Sequence, residues 1–389
     1  MEKTNYFAPY NFEKMMTMWP CSHERSFNLE KYYKILCPEL QSSNNQERPD
    51  FLQKYLELPS LKRLKGVGLL CGSDWTALFH NRFFYSRFDH SVGVALITWH
   101  FTHDKAQSIS GLFHDISTPT FSHVSDFRKG DALTQTSTEA QTSYILKNDS
   151  KLAELLIQDC LTVEQIEDYH KYPIADNEIP SLSADRLEYM FPSGMALEGS
   201  WTLDEVERCY NDICILTNEY GVEELSFRTL ETAENYCRKF CMTGHILQLN
   251  EDKLTLHLLG EIMNRAVELN ILSENDFMIL SEKEIIQKIE DNGKLSISDE
   301  TEMQARIHFF RLYRTFREMT KIEHTDFPLP EKEYFCVNLK VKQRYINPLV
   351  KCSDGNRGCR LYDISSSARK IIDDFKTFTD TPYGCVKLL

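Results

Sequence analysis

Ionisable side chains stand inside two of the most apolar stretches of this chain, and no other feature constrains its fold as tightly. Residues 90–102 open on His90 and continue with Val92, Val94, Ala95, Leu96, Trp99 and Phe101, which predicts a buried helix. Residues 104–116 predict a second helix, closed by Pro119, with His114 and Asp115 at its end. Burying a His–Asp pair costs free energy unless the pair binds something. A third segment, Ser183-Ala184-Asp185-Arg186-Leu187-Glu188-Tyr189, brings another aspartate. Two imidazoles and two carboxylates form a mixed N/O set suited to Mn, Fe, Zn, Co or Ni rather than to calcium. An ion so held polarises a phosphoryl oxygen and acidifies a bound water. The dipeptide alone says little: a second one, His103-Asp104 in FTHDKAQ, reads as a solvated helix junction.

Order and context add specificity. The chain reads R-F-D-H-S-V-G-V at 87–94, L-F-H-D-I-S-T-P-T-F-S-H at 112–123 and D-R-L-E-Y at 185–189. This series resembles the HD superfamily of metal-dependent phosphohydrolases, and within it the deoxynucleoside triphosphate triphosphohydrolases, dGTPase-like and sterile-alpha-motif/HD-domain enzymes. The resemblance covers about 65–195. It implies one divalent transition ion held by His90, His114, Asp115 and Asp185, with magnesium a second ion that accompanies substrate phosphates. It makes Arg87 the grip on a substrate phosphate, Arg186 a further phosphate contact, and Tyr189 a wall of the phosphate and sugar site. His123 and Asp126 match catalytic polar residues. Two family histidines are missing, with Thr118 and Thr138 in their places, and Ser193 stands where the family reads deoxyribose with an aspartate. Threonine does not titrate near neutral pH and cannot replace a histidine acid. His123, oriented by Asp126, is then the remaining proton donor, and Thr118 is expected to matter little. The expected function is a metal-dependent phosphohydrolase acting on a nucleotide, first a dNTP triphosphohydrolase-like enzyme. The alternatives are a phosphomonoesterase or other nucleotide phosphohydrolase, or a non-catalytic nucleotide-binding regulatory protein.

Charge narrows the partners. The 389 residues carry 58 acidic and 44 basic side chains, a net charge of −14, which excludes an extended nucleic-acid surface. A small anionic substrate remains admissible, because an ion and a few arginines reverse the sign inside a cleft. No run approaches 18 apolar residues, and the opening MEKTNYFAPYNFEKMM has no basic region followed by an apolar one. The expectation is a cytoplasmic homo-oligomer with no membrane contact and its 12 cysteines mostly reduced. Cys237 with Cys241, and Cys352 with Cys359, have spacings compatible with half a zinc site, but no further ligands follow at zinc-finger spacing, so a structural role is expected.

The fold class expected is mainly α: an HD-domain helical core with additional C-terminal helices and a small α+β tail. The segments are an arm over 1–50, the core over 51–200, a helical part of the same lobe over 201–330, and the tail over 331–389. Helices are expected over 202–220, 226–248, 254–270 and 301–319, with capping boxes at Thr162/Gln165 and Ser281/Glu284. In the tail, YFCVNLKVKQRYI reads as a strand or hairpin, as do GCRLYDIS and YGCVKLL around a helix over 365–378. Lys340, Lys342, Gln343 and Arg344 form a small basic cluster, read as a solvated strand edge blunted by lysines, with an effector-phosphate site as the alternative.

Overall fold

Two neighbouring helices form the centre of the molecule. In this computed structural model, which describes residues 27–44, 47–133, 141–293, 300–352 and 357–389, helix α1 spans Leu29–Leu36, α2 spans Arg87–Thr102 and α3 spans Lys105–Phe113. Helix α2 starts three residues before His90. Ser86 accepts from the Asp89 amide while the Asp89 carboxylate accepts back from Ser86, a reciprocal cap that places His90 in the first turn. The α2–α3 junction is the polar one read from FTHDKAQ: His103 closes α2 in a left-handed conformation and Asp104 caps α3.

Helix α4 is the short Val124–Arg128, α5 Ala184–Ala196, α6 Leu203–Asn211, α7 Leu230–Ile246, α8 Asn250–Glu268, α9 Glu282–Asn292, α10 Glu300–Glu318 and α11 Ser366–Thr377. Mainly α is therefore the observed class. Both expected capping boxes are formed. The helix expected over 202–220 ends at Asn211. After it Ile213–Thr217 (β1) and Glu223–Phe227 (β2) pair antiparallel, because ICILT is β-branched and carries no helical stripe. β2 continues in parallel to Leu349–Lys351 (β5), which pairs with Gly358–Arg360 (β6). A second sheet has the order β3-β7-β4, from Glu323–Thr325, Tyr383–Lys387 and Tyr334–Val337. The long strand expected from YFCVNLKVKQRYI thus stops at Val337, and 338–348 run as irregular chain. The expected GCRLYDIS strand stops at Arg360, where Leu361–Ile364 turns helical. No helix among the described residues is long and apolar enough to cross a membrane.

Two apolar clusters result. The first gathers α1, α2, α3, α5 and α7 around Leu96, Phe113, Leu187 and Tyr236; the second gathers α4, α8, α9 and α10 around Phe121, Leu259, Ile286 and Phe309. Cys237 and Cys241 are buried within the first cluster as core residues. Seven of the described cysteines are free, in keeping with a mostly reduced set, while Cys336 bonds Cys385 and Cys352 bonds Cys359. The reason for the first is register, since Cys336 faces Cys385 across β4 and β7.

Helix α2 approaches α5 closely enough that a Cβ on Gly93 would lie 2.5 Å from Glu188 Oε1. Gly93→Ala is expected to destabilise the fold by about 1–3 kcal/mol through overpacking. Chemical denaturation measures it, and an unchanged midpoint would show that the helices part without cost.

Candidate metal centre

The backbone turns sharply where α3 ends. Ile116 N–H donates to Phe113 O and Thr118 N–H to Asp115 O, and the Arg63 guanidinium caps the turn through Ile116 O and Thr118 O at 3.0 and 2.8 Å. This fixes His114 and Asp115 against the first turn of α2. Both histidine rings are oriented from behind. His114 Nδ1 donates to Gly111 O at 2.7 Å, and His90 Nδ1 donates to Glu188 Oε2 at 2.5 Å. With both Nδ1 atoms acting as donors, the two Nε2 atoms converge on one point, 3.2 Å apart, and present lone pairs there when the rings are neutral.

The carboxylates face the same point. Asp185 Oδ1 lies 3.0 Å from His90 Nε2 and 3.9 Å from His114 Nε2, and Asp115 Oδ2 lies 3.5 Å from His114 Nε2 and 3.9 Å from His90 Nε2. Ligands about 2.1 Å from an ion sit roughly 3.0–3.4 Å apart around it; the His90–His114 and His90–Asp185 spacings of 3.2 and 3.0 Å fall in that range, and the others, at 3.5–3.9 Å, are somewhat wider. His90, His114 and Asp115 are all buried, and this group could hold a metal ion. Without an ion, the bonds of His90 to Asp185 and Glu188 outweigh its burial and carry it up to about 10, so a proton then takes the place at Nε2 that a cation would hold. Burial opposes ionisation of Asp115 and Asp185 too, but Arg87 at the first and His90 at the second hold both well below the usual carboxylate range.

The other expected residues line one cavity of about 250 Å³ with this group: Arg87, His123, Arg186 and Tyr189. Arg87 is buried, donating from Nη1 to Asp115 Oδ2 at 2.8 Å and from Nε to Ser122 Oγ at 3.1 Å. His123 follows a turn in which Phe121 and Ser122 adopt left-handed φ of 66° and 53°, and its Nδ1 meets the fully buried Asp126 at 3.0 Å. Tyr189 keeps its hydroxyl shielded from water and without a partner among the described residues. Arg186 is used differently. Its guanidinium binds Asp176 at 3.3 Å, Ser181 O at 2.9 Å and Asn177, so it anchors the 176–181 loop. Thr138 lies outside the described residues.

Thr118, expected to matter little, is fully buried, and its hydroxyl donates to Asp115 Oδ1 at 2.8 Å, so it orients that carboxylate. Sequence reading gave no role to Glu188. It has no exposure to water and binds Tyr85 and Tyr32 hydroxyls at 2.6 and 3.2 Å besides His90. Its signal was present: a glutamate three residues after Asp185, one helical turn on, inside an apolar helix. A second His–Asp pair at the cavity, His170 with Asp176 at 2.8 Å, had no comparable signal in its polar loop.

The helical fold has counterparts among solved structures. A hypothetical protein from Aquifex aeolicus shares it with a TM-score of 0.56 at 14% identity, over 87% of this chain and 92% of that one. A phosphohydrolase from Bacteroides thetaiotaomicron VPI-5482 shares it with a TM-score of 0.54 at 11% identity, over 87% and 95% of the two chains. In sequence, an uncharacterized protein of Bacillus subtilis (strain 168), YdhJ, is 26% identical over 142 residues, 36% of this chain and 41% of that protein's length. No family model matches the chain.

Glu188→Gln is expected to weaken metal affinity about 10–100-fold, as losses of outer carboxylates do, and Thr118→Ala to weaken it in the same direction. Competition against a calibrated chelator measures both. Unchanged affinity in Glu188→Gln would leave that carboxyl a packing role only.

Proposed function

We propose that this chain is an HD-type, metal-dependent phosphohydrolase whose ion is held by His90, His114, Asp115 and Asp185. One observation carries the reading: two imidazole lone pairs converge at 3.2 Å inside an apolar core with two carboxylates around them. Such an array is repulsive unless a metal ion, or a proton on His90, sits within it, and the two extra carboxylate oxygens around the imidazoles favour the ion. The fold held in common with a solved phosphohydrolase supports the reading. The substrate class that the motif resemblance favours is a nucleotide, with deoxynucleoside triphosphates first.

When bound, the ion supplies Lewis acidity toward a phosphoryl oxygen and acidifies water. The protein's own groups do the rest. Arg87, held charged beside Asp115, offsets the negative charge of the ligand carboxylates and of a bound phosphate. Thr118 and Arg63 keep the Asp115 turn rigid. The His123 ring, fixed through Nδ1 by Asp126, has Nε2 left to donate a proton to a leaving oxygen.

His123 has a pKa below its ordinary 6.5, because burial disfavours imidazolium and Arg344 and Arg87 act in the same sense, against Asp126. The proton-donating form is therefore lost as pH rises through that depressed value. With an alkyl phosphate such as a nucleotide, kcat/KM is expected to fall from mildly acidic toward alkaline pH. An activated aryl phosphate, whose leaving group needs no acid, is expected to lack that limb. His123→Ala should cut alkyl-ester turnover about 10²–10⁴-fold and spare the aryl ester. Loss of both activities alike would remove the acid role. Phosphate release from no ester, with any of Mn, Fe, Co, Ni or Zn loaded, would overturn the phosphohydrolase itself.

A further inference from the structure

The three-stranded sheet of the tail rests on helix α8, along a seam that is part apolar and part charged. β4 and β7 pack on α8, and Val337, Val386 and Leu388 enter the second apolar cluster. At the start of α8 the seam turns polar. Asn250 N–H donates to Asp380 Oδ2 at 2.7 Å, and its side-chain amide donates to Thr381 O at 2.9 Å. A Cβ on Gly384 would lie 2.6 Å from Asn250 Cβ, so β7 touches the helix start directly. His324 of β3 stands opposite Gly384 in the strand register and closes the seam. Its Nε2 lies 3.0 Å from Glu251 Oε1 on α8, and its Nδ1 lies 3.2 Å from Asp380 Oδ1 in the loop before β7.

Each ring nitrogen thus faces a carboxylate oxygen. Neutral imidazole has one N–H and one lone pair, so it meets one carboxylate and turns its lone pair on the other. Imidazolium donates to both. The Thr381 hydroxyl lies 3.3 Å from Nδ1, but its one proton goes to Tyr383 O at 3.2 Å. Glu251 depends on the ring as well: its Oε2 is shielded from water and has no donor among the described residues. Burial disfavours charge on His324, yet the bonds to Glu251 and Asp380 outweigh it and raise its pKa above 6.5. Lys253, on the same turn of α8, is a further cation near Asp380.

The seam continues into the cavity wall. Asp252 follows Glu251 and lines the cavity. Beyond β4 the chain lines it again with Val341, Lys342, Arg344 and Tyr345, in place of the solvated strand edge read from sequence. We propose that protonated His324 is a pH-sensitive clasp between the tail sheet and α8, and that loss of its proton loosens β3, β7 and the 341–345 wall of the cavity. The clasp is complete below the ordinary histidine value of 6.5 and is lost as pH rises through the raised one. It is separate from the phosphohydrolase reading and stands whether or not the His/Asp group holds an ion.

Hydrogen–deuterium exchange of the whole protein, corrected for the intrinsic rate at each pH, tests it. Between about pH 6 and about pH 9, peptides covering β3, β7 and 338–348 are expected to lose about tenfold in protection, while those of α2 and α3 keep theirs. NMR of the His324 ring should show a midpoint above 6.5. Glu251→Gln, which leaves the ring one carboxylate, should move that midpoint and the loss of protection to lower pH. His324→Gln, which cannot carry the charge, should give weak protection with no pH dependence. Protection that stays flat with pH in wild type, or a dependence that persists unchanged in both variants, overturns the clasp. If EDTA removes the protection of these peptides at about pH 6 and zinc restores it, a metal ion holds the seam and the clasp is overturned.

Discussion

A carboxyl group sealed from water sits beneath the cavity. Glu188 binds His90, Tyr85 and Tyr32, and the close α2–α5 approach at Gly93 leaves it no room to move. Burial raises its pKa, while the bond from His90 and those from the tyrosines pull it back down. That exchange fixes the His90 tautomer, which in turn aims one lone pair at its counterpart on His114. A buried charge is tolerated only when its partners are complete. Helix α1, which brings Tyr32, is therefore as much part of the site as the residues that line it.

The local chemistry of this arrangement was legible from sequence because it violates local rules. Histidines and aspartates inside apolar helices announce themselves, and the capping boxes at Thr162 and Ser281 mark the starts of the helices that follow them. Roles that depend on distant partners were not legible. Nothing in Arg186 itself shows that its guanidinium would be held by Asp176 and Asn177, partners on a loop about ten residues earlier. Thr118 looked like a missing histidine, and its hydroxyl bond to Asp115 follows from a turn geometry that spacing does not encode.

The tail was the least readable part for a related reason. An alternating, lysine-bearing segment predicts an edge strand, yet a strand needs a neighbour. Beyond Val337 the chain finds side chains of both clusters instead of a free sheet edge. The β1–β2 hairpin was missed because its partner strand, β5, lies over a hundred residues away.

That placement of 341–345 has a kinetic consequence. The cavity joins Arg87 near one end of the sequence to Arg344 near the other, so its walls are contacts of very long sequence separation. Loop-closure entropy makes such contacts late to form, and chains emerge from synthesis N-terminal part first. The helices bearing His90, His114 and Asp185 can pack while the chain is still growing, whereas the finished cavity must await residues 341–345. A nascent chain would therefore gather His90, His114 and Asp185 well before it could close the cavity over them, a delay built into vectorial synthesis.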